Sequence, residues 1–168
     1  VFDRALTVDE IAEVMYGVSN PLAVSPDPAD GSFSQQTWVN LTWSPGEFAV
    51  SHDVYLGDSF NDVNNGAGDT FIGNQAQTVL IVGFAGFAYP DGLVPGTTYY
   101  WRIDEVNDAN AASPWKGDIW SFSIPPKTAY APVPADGARF IEPEPTLSWT
   151  AGFGAILHTV YFGDSFDD

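Results

Sequence analysis

Residues 97–104, TTYYWRID, sort their side chains by alternate positions. Tyr99, Trp101 and Ile103 fall on one side of an extended chain, and Tyr100, Arg102 and Asp104 on the other, because successive strand residues point to opposite faces. The first set is apolar and the second mostly polar, which predicts a central strand with one face in a core. Pro95-Gly96 supplies the turn before it. The same alternation recurs along the chain. Residues 37–43 set Val39, Leu41 and Trp43 inward, residues 50–57 set His52, Val54 and Leu56 on one face, and residues 118–124 set Trp120, Phe122 and Ile124 inward. Residues 77–82 predict another strand, 70–72 a short edge strand and 58–69 a polar loop. With a first strand leaving the Pro-rich stretch 20–28, the count reaches seven short strands separated by turn residues. That pattern predicts an all-β, immunoglobulin-like sandwich of two sheets.

The one helical pattern lies in residues 1–17. Thr7-Val8-Asp9-Glu10 reads as a capping box, Ile11, Val14 and Met15 form an apolar stripe, and Gly17 is a stop. About ten residues do not hold a helix alone in water, so this one is expected to dock on a neighbouring surface.

Displaced by 106 positions, the sequence matches itself without a gap, with 17 of 37 residues identical between 26–62 and 132–168. PADG at 28–31 returns at 134–137, Leu41 and Trp43 return as Leu147 and Trp149, and HDVYLGDSF at 52–60 returns as HTVYFGDSF at 158–166. Self-similarity at a domain-length period predicts tandem modules. The later copy spans only the first three strands, residues 127–168, and holds no counterpart of 93–124. Strands without their central partner fray or aggregate. The expected remedy is strand addition, from a longer chain or from a neighbouring copy in an assembly.

The chain carries 22 acidic and five basic residues, a net charge of -17. Such a field repels phosphate backbones and anionic headgroups, so neither nucleic acid nor membrane insertion is expected. It suits a soluble, secreted or cation-binding surface. There is no cysteine, which removes disulfides and thiolate chemistry.

Candidate chemistry is sparse. The two histidines, His52 and His158, occupy equivalent repeat positions and read as packed rings. No nucleophile elbow or distinct carboxylate pair stands out, so catalysis is not expected. The loop 58–69 gathers Asp58, Asn61, Asp62 and Asp69 among glycines, oxygen donors of the kind calcium takes. The other reading of that loop is a capped turn, with Asp58 and Asp62 bonded to their own backbone and Phe60 in the core. Trp38, Tyr55, Tyr100 and Trp115 lie outside the inward sets and form either a contact strip for sugars or proteins or scattered surface rings. Asn40-Leu41-Thr42 matches a glycosylation sequon in mid-strand.

The pattern Leu93-x-Pro95-Gly96-Thr97-x-Tyr99-x-Trp101-Arg102-Ile103 resembles the sixth strand of fibronectin type III domains. The resemblance implies one such sandwich over 21–126, preceded by a linker at 18–27, and the first half of another over 127–168. It makes Tyr99 a tyrosine-corner residue, its hydroxyl bonded back to preceding backbone, with Trp101, Trp43 and Trp120 as structural core residues. Phe2, Arg4, Ala5, Leu6, Thr7, Glu10 and Ile11 resemble the closing strand and helix of a laminin-G-like, concanavalin-type domain, which assigns 1–17 to the tail of one. Tandem modules of this kind imply a non-catalytic structural or adhesive part of a large extracellular or surface-anchored bacterial protein. The expected partners are other copies or domains of the same protein through strand pairing, and polysaccharide. The alternative is an accessory module of a secreted polysaccharide-degrading enzyme. No cofactor is expected other than calcium at the 58–69 loop.

Overall fold

A computed structural model describes residues 20–165. The helix and laminin-G-like ending expected over 1–17 lie outside the described residues, as do the repeat positions 166–168. In chain order the described residues form β1 (Val24–Asp27), β2 (Ser32–Phe33), β3 (Val39–Ser44), β4 (Ser51–Gly57), α1 (Phe60–Asn65), β5 (Phe71–Gln75), β6 (Val79–Val82), β7 (Thr98–Val106), β8 (Ile119–Ser123), β9 (Tyr130–Val133) and β10 (Ser148–Thr150). The chain is mostly β.

Three antiparallel strands make one sheet in the order β1-β3-β6. Five make a second in the order β2-β8-β7-β4-β5, antiparallel except where β2 runs beside β8. Their inner faces share a single core. Val39, Leu41 and Trp43 from β3 meet Val54 and Leu56 from β4, Tyr99, Trp101 and Ile103 from β7, and Trp120 and Phe122 from β8. The Trp43 and Trp101 rings touch edge to face across the sheets, 6.3 Å between centroids, and Trp101 packs on Trp120 at 4.8 Å. β7 is the strand through which the core is organised, with β4 on one side and β8 on the other.

Two local expectations are corrected. The 58–69 segment is not only loop, for α1 occupies its first half. Ser59 caps the helix by accepting the Asp62 N–H, and Gly66 closes it at φ +61 in the left-handed region that glycine favours. The carboxylates of Asp58 and Asp62 do not make that cap. Phe60 is also not in the core. It is exposed against Tyr100, and Val63 one turn on is the buried residue of the helix. Six residues are too few for a hydrophobic period to show, so only the Ser59 and Gly66 caps marked the helix.

After Lys127 the fold repeats in detail what β1 and β3 do. β9 and β10 pair antiparallel with Tyr130 opposite Thr150 and Val133 opposite Ser148. Displaced by 106, this is the β1–β3 register of Val24 with Ser44 and Asp27 with Thr42. The Phe153 N–H donates to the Pro126 carbonyl at 2.7 Å as the Glu47 N–H does to Asn20 at 2.8 Å. Gly46 and Gly152 pass so close to the carbonyls of Pro21 and Lys127 that a Cβ at either would collide with backbone. The third strand expected over 158–163 is absent, and only β9 and β10 form. Its counterpart β4 lies between β5 and β7, and residues 138–139, the counterpart of β2, pair with no strand among the described residues. The repeated elements that form are those whose partner is also repeated.

Candidate functional site

Three arrangements concentrate polar or exposed groups. The first is inside the core. His52 on β4 and Glu105 on β7 are Cα partners across the ladder, and both are buried. The His52 Nδ1 and Glu105 Oε2 atoms share a hydrogen bond, and the other carboxylate oxygen accepts the Gly46 N–H at 2.9 Å. The edge of Trp43 lies 5.4 Å from the His52 ring. Every polar atom of the Glu105 carboxylate thus has a partner, as a buried carboxylate requires. The site is closed by Trp43 and by the β4–β7 ladder, and it holds a turn to a strand. Sequence reasoning placed His52 inward but missed Glu105, which shares the inward parity of Tyr99, Trp101 and Ile103.

The second lies on the opposite face of β7. Arg102 and Asp104 are buried there, although their parity predicted an outward polar face. Arg102 holds Asp104 bidentately, Nε to Oδ1 at 2.7 Å and Nη2 to Oδ2 at 3.0 Å. Its Nη1 donates to the Val63 and Asn64 carbonyls at 2.6 Å each, at the C-terminal end of α1. The guanidinium also sits 4.2 Å from the centre of the Tyr55 ring, and Asp104 Oδ1 accepts the Gly117 N–H at 3.0 Å. The helix is therefore a lid fastened by one arginine, with cation at the carbonyl end as the dipole favours. Burial, followed by the Asp104 and Asp53 carboxylates, raises the Tyr55 phenol above its ordinary value of 10.0, while Arg102 pulls the other way.

The residues considered for calcium are placed around α1. Asp58, Asn61, Asp62 and Asp69 are all exposed, and no group of three or more histidines or carboxylates able to hold a metal occurs among the described residues. Of the outlying aromatics, Trp38 is exposed beside Phe84, 6.3 Å between ring centres. Tyr55, Tyr100 and Trp115 are half-buried: Tyr55 lies between Arg102 and Phe71, and Tyr100 lies against Phe60. They make no continuous strip. The structural residues sit in the core: Tyr99, Trp101, Trp43 and Trp120 are buried, and the Tyr99 hydroxyl accepts the Val94 N–H at 2.9 Å.

The third arrangement is the face that follows Lys127. Leu41, Trp43, Val54 and Leu56 are 0, 5, 0 and 1 % exposed, whereas their repeat equivalents Leu147, Trp149, Val160 and Phe162 are 46, 37, 57 and 90 % exposed. An open groove of about 400 Å³ runs between Lys127, Trp149, Gly152, His158 and Val160. The His158 ring stands 5.7 Å from Trp149 at 75°, close to the 5.4 Å and 84° of His52 against Trp43. The exposed apolar face thus carries an inward-type histidine beside Trp149.

No helix among the described residues is long and apolar enough to cross a membrane. No protein-family model and no curated protein matches the chain. Among solved structures, a Fn3-like protein from Clostridium thermocellum aligns at 18 % identity and TM-score 0.42, covering 64 % of this chain and 96 % of that one. A second, FN3tt mut, aligns at 18 % identity and TM-score 0.34, covering 60 % of this chain and 92 % of that one.

Proposed function

We propose that this chain is a non-catalytic structural or adhesive segment of a large extracellular bacterial protein. Residues 21–126 are a complete fibronectin type III-like sandwich, and 127–168 open a second one that pairs with strands of other copies or other domains of the same protein, as in a filament or surface assembly. The observation that carries this reading is the β9–β10 pair, which keeps the β1–β3 register while exposing Leu147, Trp149, Val160 and Phe162. Support for the sandwich comes from the shared core of the two sheets and from the Tyr99–Val94 bond at 2.9 Å. The polar clusters all have internal partners and structural roles, which fits a part that bears load or contact rather than chemistry.

Sedimentation velocity of the purified chain over a range of concentrations tests it. Reversible association that disappears in Val160→Asp is the expected result, and a chain that stays monomeric at every concentration contradicts it. The second reading, an accessory module of a polysaccharide-degrading enzyme, rests on the exposed Trp38–Phe84 pair. It predicts pelleting with insoluble polysaccharide that Trp38→Ala abolishes.

A further inference from the structure

We propose that Asn65 is a site of self-modification: the Gly66 backbone nitrogen closes on the Asn65 side-chain amide and turns the residue into isoaspartate and aspartate, at a rate set by opening of the C-terminal cap of α1. Asn65-Gly66 is the one Asn-Gly pair in the sequence. Glycine there is dictated by the fold. Gly66 sits at φ +61, and a Cβ on it would lie 3.1 Å from the Tyr55 ring. Lacking a side chain, glycine also least hinders attack by its own nitrogen. Asn65 and Gly66 are both exposed, so water reaches the pair. The neighbouring Asn64 has its amide oxygen bound by Lys116 Nζ at 2.7 Å, whereas no hydrogen bond holds the Asn65 side chain among the described residues.

The reaction is redox-neutral and its only co-reactant is water. The Gly66 nitrogen gives up its proton and bonds to Asn65 Cγ, and the Cγ–Nδ2 bond breaks to release ammonia. Water then opens the five-membered imide. Opening at Cγ yields aspartate, and opening at the main-chain carbonyl yields isoaspartate, with one more methylene in the main chain. The folded cap opposes the first step. The Gly66 N–H donates to the Val63 carbonyl at 3.3 Å and the Ala67 N–H to the Asp62 carbonyl at 2.9 Å, the two bonds that end a helix on a left-handed glycine. Arg102 grips the Val63 and Asn64 carbonyls at 2.6 Å each. Ring closure requires the Asn65 backbone to leave its helical conformation, which it does only when this end of α1 opens. Either product works against re-closure. A new carboxylate stands at the carbonyl end of the helix, where the dipole disfavours it. In isoaspartate the extra methylene also moves the Gly66 and Ala67 donors out of register with their acceptors. The lid that Arg102 keeps shut is thus altered irreversibly once it has stood open long enough.

The test incubates the full chain in mildly alkaline buffer beside a synthetic peptide of residues 60–70, which is too short to hold the helix. Peptide mapping by mass spectrometry follows the exchange of ammonia for water at every asparagine, and electron-transfer fragmentation tells isoaspartate from aspartate. Position 65 is expected to convert ahead of the exposed Asn61 and Asn110, and about tenfold or more slowly than in the peptide. Arg102→Lys should speed the conversion about tenfold, as lost charged hydrogen bonds do, and Ser59→Ala about fivefold through the other end of the helix. Tyr99→Phe weakens the sandwich away from α1 and should leave the rate unchanged, which separates opening of the cap from unfolding of the whole domain. In the converted chain amide exchange should rise across 60–67 and stay as it was in β3. An Asn65 that stays intact in every variant while the peptide converts would overturn the proposal. So would a rate in the chain equal to the peptide's, indifference to both Arg102→Lys and Ser59→Ala, equal acceleration by Tyr99→Phe, or unchanged exchange across 60–67 after conversion.

Discussion

Glu105 and His52 face each other across the β4–β7 ladder, buried, with the same carboxylate also holding the Gly46 N–H at 2.9 Å. The pair joins the turn after β3 and the adjoining β4 to the end of β7, a part of the chain more than fifty residues away. Its strength comes from full satisfaction of the carboxylate, because a buried acid that loses a partner exposes the whole cost of desolvation.

Removing that acid should be costly. Glu105→Ala leaves the His52 ring and the Gly46 N–H without an acceptor, and a loss of about 3 kcal/mol is expected. Glu105→Gln keeps an acceptor for Gly46 and should cost about 1 kcal/mol. Urea unfolding of both variants measures the order, and equal losses would mean that burial alone matters at this position.

Tyr99→Phe tests the bond that ties the turn at Val94 to β7. The ring stays in the core against Phe122, 5.6 Å between centroids, and only the hydroxyl is lost. A decrease of about 1 kcal/mol with an unchanged denaturant slope is expected.

Arg102→Lys retains a positive charge but cannot reproduce the fork that grips Asp104 while two donors reach the α1 carbonyls. A loss of about 2 kcal/mol is expected, of the size found when a charged hydrogen-bond network is broken. Hydrogen exchange should show it concentrated in α1. Ser59→Ala should loosen the other end of that helix by about 1 kcal/mol.

Alkaline pH should lower the stability of the protein in part through Tyr55. A phenol whose value is raised by folding contributes stability in full below its unfolded value of 10.0, and that contribution is lost as pH rises beyond it. Tyr89 is raised as well, first by burial and then by Asp58 and Tyr99, and acts in the same direction. Tyr55→Phe should therefore flatten the stability profile above pH 10, and an unaltered alkaline limb would assign the effect elsewhere.

Much of this was legible because each β-strand buries one face. The alternation in 37–43, 50–57, 97–104 and 118–124 names the residues that meet in the core, since a slip of one would expose them all. The 106-residue displacement carries the β1–β3 register to β9 and β10 because the close glycines Gly46 and Gly152 and their neighbours recur with it. What was hidden depends on distant partners. Glu105 reads as one more acid in an acidic chain until His52 is seen beside it. Arg102 and Asp104 have the parity of a solvated face, and the end of α1, the Tyr55 ring and the Gly117 N–H cover their charges. The strand β2 is two residues long and exists through its parallel pairing with β8, which no local pattern records.

Amide hydrogen exchange of the isolated chain at low concentration tests most directly whether two equivalent segments differ only in what covers them. Residues 52–57, held between β5 and β7, should exchange only through global unfolding, while 158–163 should exchange nearly as fast as an unfolded chain. Equal protection of the two stretches in a monomer would contradict the open face on which the proposed assembly depends.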